Sequence, residues 1–187
     1  AHNGVVNLLL GAQLRYHPTS CYFAIPTSYV FDVSVYNIFS TFVVHCGTCV
    51  LLHDVSSLTA LTEQDEITRV AAVPSALAIA QLPSSVRQVE VGGEVLTKRA
   101  IGNVSVDSDL YNYYGPTEAA IWATRRRVLR CGPLQRSESI GSLLPGVTGY
   151  IIASGGRYDS PQLQPIGSFG ELWLGGVQVA RGYLKRP

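Results

Sequence analysis

The residues Asn112-Tyr113-Tyr114-Gly115-Pro116-Thr117-Glu118 place an amide, two phenols, a tight-turn pair, a hydroxyl and a carboxylate within seven positions. That set suits a nucleotide, because an aromatic face stacks on a base, a Thr hydroxyl donates to phosphate, and a carboxylate holds the Mg²⁺ that accompanies ATP. A Gly-Pro turn with a polar rim is the plainer alternative. Gly92-Gly93-Glu94 closes an apolar run, and two glycines there let backbone approach a flat ligand closely. A simple turn explains the same residues equally well. Cys46 and Cys49, with His45 and His53 nearby, have the spacing of half a zinc site. No second Cys/His pair follows, so small buried thiols in a core are the simpler reading.

Alternating helical and extended segments must position these groups. Val5 to Leu14 is apolar at helical spacing, and Ser20 to Pro26 reads as a short strand. Val35, Ile38, Phe39 and Phe42 recur at helical intervals, predicting a helix with that face on a core and Asp32 or Ser34 as its cap. Thr48 to Leu52, Arg69 to Val73 and Arg87 to Val91 read as strands, Thr59 to Glu66 as a polar helix, and the residues after Pro74 as a short one. From Trp122 the pattern becomes strand-like runs at Trp122 to Leu129, Val147 to Ala153 and Glu171 to Leu174, separated by Gly and Pro. The expected class is α/β, with parallel sheets and covering helices over 1–121 and a β-rich portion over 122–187.

The composition excludes several functions. A chain of 187 residues, 47% hydrophobic and 14% charged, buries a sizeable core. A net charge of +1 without a basic run gives no reason to expect nucleic acid or an anionic membrane as partner. The most apolar stretch, Thr41 to Leu52, is broken by His45 and Gly47 and falls short of the roughly 20 residues that span a bilayer. Four unevenly spaced cysteines make no disulfide framework and point to a reducing, cytoplasmic compartment. No secretory leader pattern opens the chain, and the absence of Met is expected of a fragment.

Taken in order, the motifs resemble the adenylate-forming, or AMP-binding, superfamily, and within it the adenylation domains of nonribosomal peptide synthetases. Phe31-Asp32-Val33-Ser34, Gly92-Gly93-Glu94 and Asn112 to Glu118 carry the likeness, together with Gly170-Glu171-Leu172 and Ala180-Arg181-Gly182-Tyr183-Leu184. The resemblance implies that Tyr114 stacks on adenine, Asn112 and the Gly92-Gly93 backbone contact its edge, Thr117 meets phosphate and Glu118 ligates Mg²⁺. It implies that Asp32 binds a substrate α-ammonium, and that the side-chain pocket is formed by Asp32, Val33, Tyr36, Ala72, Glu90, Gly92, Tyr113, Ile121 and Trp122.

The implied reaction is ATP-dependent activation of an amino acid, followed by loading onto phosphopantetheine on a carrier domain, with a condensation domain as a further partner. The resemblance also places a phosphate loop before Ala1, and a ribose-binding Asp and a catalytic Lys after Pro187, so the chain alone is expected to be inactive. Tyr36, Tyr113 and Trp122 are bulky and predict a small or medium substrate side chain. Tyr36, Ile121 and Trp122 also resemble a cysteine-type pocket. Glu90 is a second carboxylate near Asp32 and needs a substrate donor or another residue to pair it. The alternatives are an acyl- or aryl-CoA ligase of the same superfamily and a non-enzymatic Cys/His module.

Overall fold

The structure, a computed structural model, describes residues 2–13, 21–129, 138–155 and 160–185. Helix α1 (His2–Gln13) is followed by strand β1 (Tyr22–Ile25), helix α2 (Val33–Phe39), and strands β2 (Thr48–Leu51) and β3 (Arg69–Ala72). Helix α3 (Pro74–Leu77), strand β4 (Gln88–Gly92), helix α4 (Lys98–Gly102) and strand β5 (Asp109–Tyr114) come next. Strands β6 (Thr124–Arg127), β7 (Ser142–Leu143), β8 (Val147–Ile152) and β9 (Glu171–Gly176) complete the order. Leu14, Ser20 and Cys131, on which the sequence also bears, lie outside the described residues.

Seven strands form one sheet in the order β2-β1-β3-β4-β5-β6-β7. From β2 to β5 the pairing is parallel, and β6 and β7 add antiparallel at one side. Strands β8 and β9 pair antiparallel in a separate sheet. Parallel strands are covered on both faces, which is why every residue of β3 is buried. On one face Val70, Val89, Val91 and Leu110 pack with Leu77 of α3 and Ala100 and Ile101 of α4. Each Val, Leu or Ile side chain buried there contributes about 1.5–3 kcal/mol. The period of two sends Phe23, Arg69, Ala71, Glu90 and Tyr113 to the opposite face, toward α2. The site lies on that second face.

The expected elements are present, with three corrections. The polar stretch at Thr59 to Glu66 is not one helix but two 3₁₀ turns, Val55–Ala60 and Glu63–Asp65, because Thr62 and Asp65 cap each other and start a new turn. The second correction concerns α2. Of its expected core face only Ile38 packs inward, half-buried against Phe23 and Ala71: Val35, Phe39 and Phe42 are exposed, whereas Ser34, Tyr36 and Asn37 are buried, as are Ser40 and Thr41 in the π-helical turn Ser40–Val44 that follows. Burial of the hydroxyls is tolerated because both Ser40 and Thr41 donate to the Asn37 carbonyl, at 3.2 and 2.7 Å. Third, Cys46 is exposed, at φ +48°, while Cys21 is buried and Cys49 half-buried. Among the described residues no three His, Cys, Asp or Glu side chains converge as a metal group. No helix of the described residues is long and apolar enough to cross a membrane.

Candidate functional site

A cavity of about 590 Å³ opens beyond the carboxyl ends of the parallel strands, where ligands of α/β sheets commonly sit. Asp32 and Val33 line it from the start of α2, and Glu90, Gly92 and Gly93 from the end of β4. Thr117, Ile121 and Trp122 close it from the turn after β5. Ala72 borders it as well, although its methyl packs into the helix-covered core. Tyr36 and Tyr113 are buried behind this lining, with the Tyr113 ring 6.2 Å from Tyr36 and 5.3 Å from Trp122.

Asp32 occupies the N-cap position of α2, yet its carboxylate makes no capping hydrogen bond. Ser34 instead turns its hydroxyl to the carbonyls of Phe31 and Tyr29. The half-buried Asp32 carboxylate therefore faces the cavity without serving the helix.

Gly92 lets the wall of the pocket form. A Cβ there would come within 2.5 Å of the Trp122 indole and 2.9 Å of the Tyr113 carbonyl, so any side chain would displace the ring. Gly93 adopts φ +84° and turns the chain out of β4. Glu94 then accepts from the backbone N–H and hydroxyl of Ser75, at 2.9 and 3.0 Å, which ties this turn to the first turn of α3.

The turn after β5 is strained. Ala120 and Ile121 both have positive φ, +49° and +77°, a conformation that is costly for a residue with a Cβ and most of all for a β-branched one. The Gly170 to Leu184 segment holds it in place. Gln178, 1% exposed, donates from Nε2 to the carbonyls of Trp122 and Ala119 at 2.7 and 3.3 Å, and Asn7 of α1 donates to the Gln178 Oε1 at 2.8 Å. The Ala180 N–H donates to the Glu118 carbonyl at 2.7 Å. The Tyr183 hydroxyl donates to the Glu118 carboxylate at 2.8 Å. Glu118's own backbone N–H and then Tyr183 hold that carboxyl below its ordinary range, so it stays anionic.

On the neighbouring strand, Asn112 donates from its amide to the Ser139 carbonyl at 3.1 Å. Tyr114 keeps part of its ring exposed at the end of β5. Asn112, Tyr114 and Glu118 are thus grouped around one strand end and its turn, next to the cavity rather than in its wall.

Glu90 is paired from within the protein. Arg69 Nη2 lies 2.7 Å from Glu90 Oε1, and both side chains are under 5% exposed. Gln88 Nε2 and the Tyr113 hydroxyl donate to the same oxygen at 2.8 and 3.4 Å. Arg69 also reaches the Tyr36 hydroxyl at 3.4 Å and stacks its guanidinium 4.3 Å over the Phe23 ring. Burial, and next the Arg69 charge, push the His45 imidazole down to about 4, so it is neutral at physiological pH. Asn37, 1% exposed and in the cavity lining, has no hydrogen-bond partner for its side-chain amide among the described residues.

Residues 1–184 match the family model of the AMP-binding enzymes. The chain belongs to that family. This AMP-binding chain is similar to the AMB antimetabolite synthetase AmbB of Pseudomonas aeruginosa, 34% identical over 168 residues that make 86% of the chain and 13% of that protein. It is similar also to the malpinin synthetase of Mortierella alpina, 34% identical over 198 residues that take in 100% of the chain and 2% of that protein. The chain therefore spans only a small part of these curated relatives. Among solved structures, the Vibrio cholerae adenylation domain AlmE, crystallised with glycyl-adenosine-5′-phosphate, superposes with a TM-score of 0.83 at 24% identity, covering all of the chain and 38% of that protein. The fold is thus that of the adenylation domains.

Sequence reading missed Arg69 and Asn37, and took Gln178 and Tyr183 only as part of a structural motif from Gly170 to Leu184, without their individual contacts. Arg69 carried a signal: a cation within the otherwise apolar run Arg69-Val70-Ala71-Ala72 requires a buried anion, and the following strand holds one, Glu90. The partners of Gln178 and Tyr183 are set by contacts between distant segments, which the local motif does not specify.

Proposed function

We propose that this chain is part of an amino-acid-activating adenylation enzyme of nonribosomal peptide synthesis. The amino-acid carboxylate attacks the α-phosphate of ATP, the bond to the β-phosphate breaks, and pyrophosphate leaves as the aminoacyl adenylate forms. The thiol of phosphopantetheine on a carrier domain, losing its proton, then attacks the acyl carbon, the bond to phosphate breaks, AMP leaves as the thioester forms, and a condensation domain uses it. The setting is cytoplasmic, with 1–121 as the α/β portion and 122–187 as the β-rich portion of the domain.

The observation that carries this reading is the Asp32 carboxylate, which faces the cavity with no role in capping its helix. A carboxylate at that position binds an α-ammonium through a charge-assisted hydrogen bond. Val33, Tyr36, Ala72, Gly92, Tyr113, Ile121 and Trp122 then shape the space for the side chain. The bare backbone at Gly92-Gly93, Asn112 and the partly exposed Tyr114 ring receive adenine, and Thr117 meets phosphate. Glu118 fits Mg²⁺, since it is an exposed carboxylate kept anionic by its hydrogen bonds. Bound there, Mg²⁺ would neutralise phosphate charge. The protein's own contribution is to orient the two substrates and fix the strained turn that carries Glu118 and Ile121.

The test is amino-acid-dependent exchange of pyrophosphate into ATP by the full-length gene product. Asp32→Ala is expected to raise the amino-acid KM by about tenfold to a hundredfold while ATP binding is retained. Exchange that responds only to fatty or aryl acids would assign the chain to the acyl- or aryl-CoA ligases instead.

A further inference from the structure

Resting on the amino-acid reading above, we infer that Arg69 sets the charge of the side-chain pocket and that the pocket takes an amino acid with an uncharged side chain. Glu90 is in the cavity lining, and a free carboxylate there would draw a cationic side chain such as that of lysine or ornithine. The protein supplies that cation itself. Arg69 contacts Glu90 from beneath the lining at 2.7 Å, on the face of the sheet shared by β3 and β4. Gln88 and Tyr113 donate to the same Glu90 oxygen as Arg69, so that oxygen is already surrounded by donors of the protein before a substrate enters.

Arg69 has no route to withdraw. Its guanidinium is 3% exposed, rests on the Phe23 ring and reaches the Tyr36 hydroxyl. A cationic side chain next to Glu90 would bring a second positive charge close to this guanidinium in a weakly screened interior, where like charges repel strongly. An anionic side chain would meet Glu90, which lies between the cavity and Arg69. Neutral His45 nearby adds no charge. Both signs are disfavoured, and Arg69 decides it from outside the lining.

The experiment is pyrophosphate exchange by the full-length gene product with size-matched neutral, cationic and anionic amino acids. Glutamine, methionine and norleucine are set against lysine, ornithine and glutamate. The wild type is expected to favour a neutral amino acid by about a hundredfold or more in kcat/KM. Arg69→Met leaves Glu90 without its cation and should move the neutral-to-cationic ratio toward lysine and ornithine by about tenfold or more. Glu90→Gln should move preference toward glutamate by a similar factor, and it tests the same pairing if Arg69→Met does not fold. A lysine, ornithine or glutamate preference in the wild type overturns the inference while leaving amino-acid activation intact. Folded, ATP-binding variants with unchanged ratios overturn it equally. Exchange with acids that lack an amino group refutes the underlying reading instead.

Discussion

Asn37 is enclosed at 1% exposure while its side-chain amide lacks a hydrogen-bond partner among the described residues. A buried amide in that state costs about 1–3 kcal/mol, unless a water, an ion or a bound ligand completes its bonding. Asn37→Leu is nearly isosteric and should stabilise the unliganded protein by about 1–2 kcal/mol, measured by urea unfolding. Unchanged or lower stability would show that the amide is satisfied in solution. Tyr183 gives a complementary case. Its hydroxyl donates to Glu118 at 2.8 Å and helps keep the carboxyl anionic. With Glu118 as the proposed Mg²⁺ ligand, Tyr183→Phe should raise the Mg²⁺ concentration for half-maximal exchange by about twofold to tenfold, with the amino-acid KM unchanged.

At the scale of elements, the left-handed pair Ala120–Ile121 persists because a distant segment over-determines it. Gln178 saturates two carbonyls of that turn, and Asn7 of α1 fixes Gln178 in turn. Gln178→Leu leaves these carbonyls without their donor and should cost about 2–4 kcal/mol in chemical denaturation. The same substitution should lower exchange activity, since Glu118 and Ile121 share the turn. A loss confined to stability would separate the turn from the chemistry. Helix α2 shows where element-level pattern reading failed. Periodicity at Val35, Ile38, Phe39 and Phe42 correctly predicted a helix but turned its inner face wrongly for all of them except Ile38. That inference equates apolar with buried. Here the buried polar residues Ser40 and Thr41 satisfy themselves within the helix, while Tyr36 packs against Tyr113 and Asn37 lines the cavity.

Across the whole molecule, His45 couples stability to pH. The unfolded chain takes up a proton on His45 near its ordinary value of 6.5, whereas the folded protein does so only at about 4. The unfolded state binds more protons between those values, so His45's contribution is fully present above about pH 6.5 and is lost as the pH falls toward 4. The thermal midpoint of the wild type should fall over that window, and His45→Gln should fall less steeply. Parallel slopes would show that His45 is free to ionise in the fold.

The sequence by itself determined the alternation of strands and helices, the strands around Tyr22, Thr48, Arg69 and Gln88, and the nucleotide-type motif from Asn112 to Glu118. These are legible because period, Gly and Pro punctuation and short motifs are local properties of the chain. The tertiary structure alone decided that Asp32 is not spent as a cap, that Glu90 finds Arg69, and that Gln178 and Tyr183 reach back some 60 residues to the turn at Glu118. The Arg69–Glu90 pair depends on which side chains face one another across β3 and β4, and the Gln178 and Tyr183 contacts on a remote segment returning to the turn after β5. Those meetings are fixed by which strands become neighbours and where the chain returns, which a short local pattern of residue types does not specify.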